Sequence, residues 1–208
     1  PNNISNKKIV AVLGQVETDS SIKYGVPNDT IPKTNFALVE QVRADYPDSF
    51  IIYKPHPDTE SGLRAKGIKE SSIKDIADFV LFETPLEELF NIVDKVVVFT
   101  SLGGFEALIR GVTVITYGLP FYAGWGLTID KLSNHKWAQR RTRLLNLEEL
   151  VFISLITYPF YTSLKFDCII EIEHVIEELL TSYNEKNLEQ ILFKNWGILK
   201  DRLLKLTK

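Results

Sequence analysis

The stretch TSLGGFEALIRGVTVITYGLPFYAGWGLT, Thr100 to Thr128, decides the fold. It reads as the end of a strand, a Gly loop, a helix, a strand, and a second loop crowded with Gly, Pro and aromatic residues. In a parallel α/β sheet such loops sit at the carboxyl ends of the strands, where ligands bind. The second loop places Phe121, Tyr122 and Trp125 among Gly118, Gly124 and Gly126. Connections are normally solvated, so this one is expected to build a pocket wall.

Outward from that stretch the chain alternates. Lys8–Leu13, Phe50–Tyr53, Phe79–Phe82, Lys95–Phe99 and Val112–Tyr117 read as five strands. A helix opens at Pro32 and Thr34 and runs through Ala44, with Phe36, Val39, Val42 and Leu38 inward. Shorter helices are expected over Pro85–Val93 and Phe105–Arg110, with Gln15–Thr30 a long loop. From Leu147 the pattern is helical, over Leu147–Ile156, Cys168–Tyr183 and Leu188 to about Leu206. Strands alternating with helices predict a parallel, Rossmann-like α/β sheet with a C-terminal helical layer. The expected division is a Rossmann-like domain over 1–146 and a helical segment over 147–208, packed on it or on a missing partner half.

The chain has 208 residues, 45% of them hydrophobic, enough for a large core. A net charge of -3 gives no reason to expect nucleic-acid binding. No apolar run approaches the ~20 residues that span a bilayer, and no signal peptide is visible. The start at Pro1 and the absence of Met suggest a fragment. The single cysteine, Cys168, excludes an intrachain disulfide, and its apolar helical context predicts a buried small hydrophobe.

Three strand-end loops carry candidate chemistry. The first, Gly14 to Ser21, offers Gln15, Glu17 and Asp19; carboxylates there can act as nucleophile or base, or simply belong to a solvated turn. The second is Lys54-Pro-His-Pro-Asp58, where two prolines fix the backbone around His56. That suits aiming the imidazole at a phosphate or carboxylate, with Lys54 adding charge, and equally suits a Pro-rich turn. No second ligand stands at metal spacing. The third, Thr100 to Glu106, puts hydroxyls and glycines before a helix, as an anion site or an ordinary N-cap. Glu106 could meet a ribose hydroxyl or only favour the helix dipole. Arg140, Arg141 and Arg143 form a basic cluster beyond the aromatic loop, either a solvated run or a counter-charge for an anionic substrate. His135 and His174 read as structural or exposed.

These segments together resemble the bacterial capsule polysaccharide synthesis family, in particular the dual-domain retaining β-Kdo transferases. The motifs are GQVETDSSI (14–22), YKPHPD (53–58), TSLGGFEALIRG (100–111) and YGLPFYAGWGLT (117–128), with echoes at RRTR (140–143) and in Leu150–Tyr161. The likeness runs to about Lys165. It implies one Rossmann-like half of a GT-B glycosyltransferase, the half that binds the nucleotide sugar. The implied reaction is retaining transfer of Kdo from CMP-β-Kdo to a lipid-linked saccharide, with no cofactor beyond the donor and no metal. It implies roles for Asp19 as nucleophile, Glu17 as its alternate and Gln15 as an orienting amide. It further implies His56, Lys54, Thr100 and Ser101 at the CMP phosphate, Glu106 near the ribose or base, and Tyr122, Trp125 and Gly126 at the sugar. The implied partners are a glycolipid acceptor and an N-terminal GT-B half or second catalytic module. The implied location is cytoplasmic, peripheral at the inner face of the inner membrane. Another nucleotide sugar, or a non-catalytic scaffold module, are the alternatives.

Overall fold

The structure is a computed structural model that describes residues 7–163 and 165–183. The chain divides into two units, residues 1–150 and 151–208.

The first unit is a six-stranded, wholly parallel sheet. Its strands are β1 (Ile9–Leu13), β2 (Phe50–Lys54), β3 (Phe79–Val80), β4 (Lys95–Val98), β5 (Thr113–Thr116) and β6 (Ile129–Asp130), in the spatial order β3-β2-β1-β4-β5-β6. Parallel pairing demands crossovers that cover both faces, so central strands must be apolar throughout. Val10, Ala11 and Val12 of β1 and Val96, Val97 and Val98 of β4 are all fully buried. Crossovers use α1 (Ser20–Gly25), α2 (Asn35–Asp45), α3 (Pro57–Glu60), α4 (Leu86–Phe90) and α5 (Leu102–Ile109), and α6 (Leu147–Val151) runs to the boundary with the second unit. In α2 the Thr34 side chain accepts from the Ala37 N–H, and Leu38, Val39 and Val42 face the sheet. The chain leaves β1 to one side for β2 and returns on the other for β4. That reversal opens a crevice at the carboxyl ends of β1 and β4.

The fold is Rossmann-like α/β, with departures from the sequence reading. The expected long loop over Gln15–Thr30 contains α1, whose one fully buried residue is Ile22; a single inward apolar residue leaves little periodic signal. The α5 helix begins at Leu102 rather than Phe105, because Ser101 caps it by accepting from the Gly103 N–H at 3.2 Å. A sixth strand, β6, lacks any apolar run. Thr116 and Thr128 hydroxyls donate to Asp130 Oδ1 at 2.8 and 2.6 Å, and Gly124 N–H donates to Oδ2 at 2.9 Å. A side-chain clamp therefore sets this pairing.

In the second unit, residues Phe152–Thr157 wind as a wider π turn, β7 (Tyr161–Thr162) and β8 (Ile169–Ile170) pair antiparallel, and 172–183 are helical. The expected helix therefore starts after Cys168, not at it. Cys168 is exposed, so the buried reading is overturned: its N–H donates to Phe166 O and its carbonyl accepts from Ser163 in a hairpin turn. The expected helix over Leu188–Leu206 lies outside the described residues. Among the described residues no helix is long and apolar enough to cross a membrane.

Candidate functional site

A cavity of about 510 Å³ occupies the crevice between β1 and β4. The loops after β1, β2 and β4 line it, contributing Gln15 and Asp19, Lys54 to Pro57, and Thr100 to Gly103. Parallel strands end together, so residues about 40 and 85 positions apart meet at one rim.

The three polar residues of the first loop divide by their bonding. Gln15 is buried, and its carboxamide joins the first and third loops: Nε2 donates to Thr100 Oγ1 at 3.2 Å and Oε1 accepts from Thr100 N–H at 2.8 Å. Asn35, also buried, returns the favour on the backbone, accepting from Gln15 N–H at 3.0 Å and donating to Gln15 O at 2.8 Å. Glu17 is turned to the scaffold. Its Oε1 accepts from Asn35 N–H at 2.8 Å and its Oε2 from Ile68 N–H at 2.9 Å, and it does not line the cavity. The fit is close enough that a Cβ on Gly67 would lie 2.2 Å from Glu17 Oε1. Asp19 does line the cavity, half exposed, with Arg64 Nη2 at 3.6 Å from Oδ1.

The second loop starts where β2 ends. Lys54 is buried on the cavity side, its Nζ 3.8 Å from Glu60. His56 caps α3: its Nδ1 accepts from the Asp58 N–H at 3.1 Å. A neutral imidazole that accepts at Nδ1 carries its proton on Nε2, so the second nitrogen is the donor. Beneath this loop the Tyr53 hydroxyl donates to Glu70 Oε1 at 2.5 Å, and burial followed by that carboxylate pushes the phenol up, keeping it protonated. A Cβ on Gly14 would stand 2.4 Å from the same hydroxyl, so only glycine lets the first loop cross over Tyr53.

In the third loop the Thr100 N–H is taken by Gln15, whereas Ser101 and the first turn of α5 border the cavity. Glu106 is half-buried on α5 and does not line the cavity.

The aromatic loop is arranged differently from its sequence reading. Tyr122 is fully buried and forms no wall; its hydroxyl donates to the Ser101 carbonyl, under the turn that starts α5. Phe121 lines the cavity instead, edge-on to Phe105 with centroids 4.9 Å apart. Trp125 and Gly126 lie outside the cavity lining. Trp125 Nε1 donates to Phe121 O at 2.6 Å, and Arg141 stacks over its ring at 5.5 Å. Arg141 also donates to the carbonyls of Pro120 at 2.6 Å and Ala123 at 2.5 Å. Desolvation lowers its pKa from the ordinary guanidinium value, with Arg140 adding repulsion. Of the basic cluster, Arg141 is thus a loop staple and Arg143 pairs with Glu149 at 2.7 Å. His135 packs edge-on to Trp137, and His174 is exposed.

Sequence reasoning missed Asn35 and Arg64, and it named Phe121 only as one of three aromatics in the expected pocket wall. A buried Asn just after a helix cap carries no periodic signal, and Arg64 sits in an irregular segment. Phe121 was visible as an aromatic in a Gly-rich loop, but not which of two adjacent rings turns inward.

Comparison with known proteins adds an independent line. The family model described as "Capsule polysaccharide biosynthesis protein" matches residues 1–161. The chain is 40% identical over 186 residues to the capsule polysaccharide modification protein LipA of Neisseria meningitidis serogroup A, covering 89% of this chain and 25% of that protein. Among solved structures it is similar to the β Kdo 2,7 transferase of KpsC from Thermosulfurimonas dismutans, with a TM-score of 0.73 and 40% identity over 86% of this chain and 54% of the other. It is also similar to the β Kdo 2,4 transferase of the same KpsC, at TM-score 0.69 and 30% identity over 84% of this chain and 52% of the other. The chain thus spans a quarter of that LipA and about half of each solved chain.

Proposed function

This chain belongs to the capsule polysaccharide biosynthesis protein family, and from that premise we propose that it is the donor-binding unit of a retaining glycosyltransferase. The donor is CMP-β-Kdo and the acceptor a lipid-linked saccharide. The observation that carries this reading is the convergence of three loops, after β1, β2 and β4, on one cavity at the strand-order reversal. The similarity to two Kdo transferase structures supports the choice of sugar.

In this reading the CMP phosphate lies between the second and third loops. His56 Nε2–H, the Lys54 ammonium and the Ser101 hydroxyl meet the charge that develops as CMP leaves. Asp19 attacks the anomeric carbon, the bond to the CMP oxygen breaks, and a glycosyl-enzyme ester forms. An acceptor hydroxyl then displaces Asp19, losing its proton, and two inversions give net retention. Asp19 is favoured over Glu17 because its carboxylate borders the cavity, whereas both Glu17 oxygens accept backbone N–H groups. Gln15 acts by holding the first and third loops together. A soluble donor and a lipid-linked acceptor together imply a peripheral position at the inner face of the inner membrane. In this reading an N-terminal GT-B half or second catalytic module supplies the acceptor side.

The test is thermal shift with CMP against UMP, GDP and buffer, followed by transfer from CMP-Kdo with the partner half supplied. CMP alone should stabilise the chain. A larger shift with UMP or GDP transfers the reading to another nucleotide sugar. Stabilisation by CMP without turnover in the assembled enzyme would make the unit a scaffold.

A further inference from the structure

We propose that a second cavity in the first unit, between α1 and residues 136–140, seats the phosphate headgroup of an anionic phospholipid. Docking there holds the rim of the donor cavity at a bilayer surface. The proposal rests on the lipid-linked acceptor of the reading above and adds to it the surface that meets the lipid.

The cavity encloses about 410 Å³ and is lined by Tyr24, Gly25, Leu119, Lys136, Trp137 and Arg140, none of them shared with the donor cavity. The lining holds two cations and no acid. Lys136 and Arg140 are exposed, and among the described residues neither forms an ion pair. Asp29 pairs with His135 Nε2 at 3.3 Å and is outside the lining. Lys23 Nζ lies 5.0 Å from the Tyr24 ring centroid, and Lys33 Nζ donates to the Lys23 carbonyl at 2.8 Å, so two further ammonium groups border this side of α1. Desolvation, and then repulsion from Arg140, lowers the Arg141 pKa; an anion beside Arg140 offsets that uncompensated charge.

The whole chain carries a net charge of -3, so this is a local patch and not a general polyanion surface. A guanidinium and an ammonium at one pocket suit a phosphate. The aromatic rings select among phosphate carriers. Tyr24 is 67% exposed and Trp137 37%. Rings with an apolar body and a polar tip, set beside cations, are the composition that settles at a membrane interface. Trp137 is held in place: its backbone N–H donates to His135 Nδ1 at 3.2 Å, and the two rings meet edge-on with centroids 5.4 Å apart.

The floor of this pocket is built against the donor site. Leu119 N–H donates to the Gly25 carbonyl at 2.8 Å, and a Cβ on Gly25 would stand 2.8 Å from Thr100 Cγ2. The short helix α1 serves both cavities, with Ser21 lining the donor cavity and Tyr24 this one. A headgroup seated here therefore lies one helix away from the bound donor.

The experiment is co-sedimentation of the full chain with vesicles of phosphatidylcholine alone and of phosphatidylcholine mixed with phosphatidylglycerol. The mixed vesicles should bind the chain, the neutral ones should not, and binding should weaken as salt rises. Replacing Lys136 and Arg140 together by Ala should weaken vesicle binding ~10-fold or more, with circular dichroism and CMP affinity unchanged. Trp137→Ala should weaken it as well, whereas His56→Ala in the donor cavity should not. Equal binding to neutral vesicles, or indifference to the loss of Lys136 and Arg140, would overturn the assignment. Glycerol phosphate binding as tightly as the mixed vesicles would also overturn it, giving the pocket to a soluble phosphate ester. The donor reading can fail separately: it stands on CMP binding, and the vesicle experiment is decided without CMP.

Discussion

Gln15 and Thr100, 85 residues apart, hold each other through two hydrogen bonds: Gln15 Nε2 donates to Thr100 Oγ1 at 3.2 Å, and Thr100 N–H donates to Gln15 Oε1 at 2.8 Å. The pair bridges the two strands between which the chain reverses direction across the sheet. It fixes the spacing of the loops that line the candidate donor cavity. Gln15→Ala should therefore cost ~1–3 kcal/mol by leaving buried groups unpaired, read by urea denaturation, and should weaken CMP binding as well. An unchanged denaturation midpoint would remove the clamp.

The two carboxylates of the first loop should separate cleanly. Glu17→Ala deprives the Asn35 and Ile68 N–H groups of their acceptor and should destabilise the fold by ~1–3 kcal/mol. Asp19→Ala loses only a half-exposed ion pair with Arg64 at 3.6 Å and should shift stability by less than ~1 kcal/mol. In the assembled enzyme Asp19→Ala should nevertheless abolish transfer while CMP affinity stays within about twofold. Retained turnover would return the nucleophile to Glu17 or elsewhere.

His56→Ala should lower CMP affinity ~10-fold or more, with circular dichroism unchanged. The imidazole caps a helix of only four residues, so the fold can lose it. Isothermal titration with unaltered affinity would remove His56 from the phosphate site.

Gly104 is expected to tolerate no side chain. A Cβ there would stand 2.2 Å from Tyr122 Oη, so Gly104→Ala should cost ~1–3 kcal/mol through overpacking. Tyr122→Phe in the same chain removes the clashing oxygen and should recover part of the loss in melting temperature. No recovery would mean that Tyr122 does not sit beneath the α5 turn.

Acid sensitivity should come partly from Asp78. Burial raises its pKa, but the Ile51 N–H at 2.8 Å and Arg43 at 2.5 Å outweigh burial and leave it below the ordinary value of 3.8. A depressed folded-state pKa contributes stability above 3.8 that is lost as pH falls through the folded value. Asp78→Asn should thus be less stable than the parent at neutral pH, with the difference shrinking below about pH 3.8. A difference that stays constant down the acid range would exclude this linkage.

The alternation of apolar runs and helices made the parallel sheet legible without coordinates. Lys95–Phe99 could only be a strand covered on both faces, and Thr34 announced its helix as a cap. The strand-end loops were legible for the same reason, because parallel topology gathers the carboxyl ends on one rim. What local sequence could not carry was the direction of each side chain on that rim. Glu17 and Asp19 are two residues apart and chemically alike. Only the N–H groups of Asn35 and Ile68, brought in from distant segments, turn Glu17 to the scaffold and leave Asp19 at the cavity. Tyr122 and Phe121 are adjacent rings, and it is the absence of a Cβ on Gly104 that lets Tyr122 go under the loop and sends Phe121 to the cavity. Strand β6 rests on Asp130 accepting from Thr116, Gly124 and Thr128 rather than on an apolar pattern. The sequence alone therefore determined the sheet, the family and the loops that meet, because hydrophobic periodicity and motif identity are local. Which polar group faces the cavity was decided only in three dimensions, because a buried hydrogen-bonding group must find its partner wherever the chain brings one.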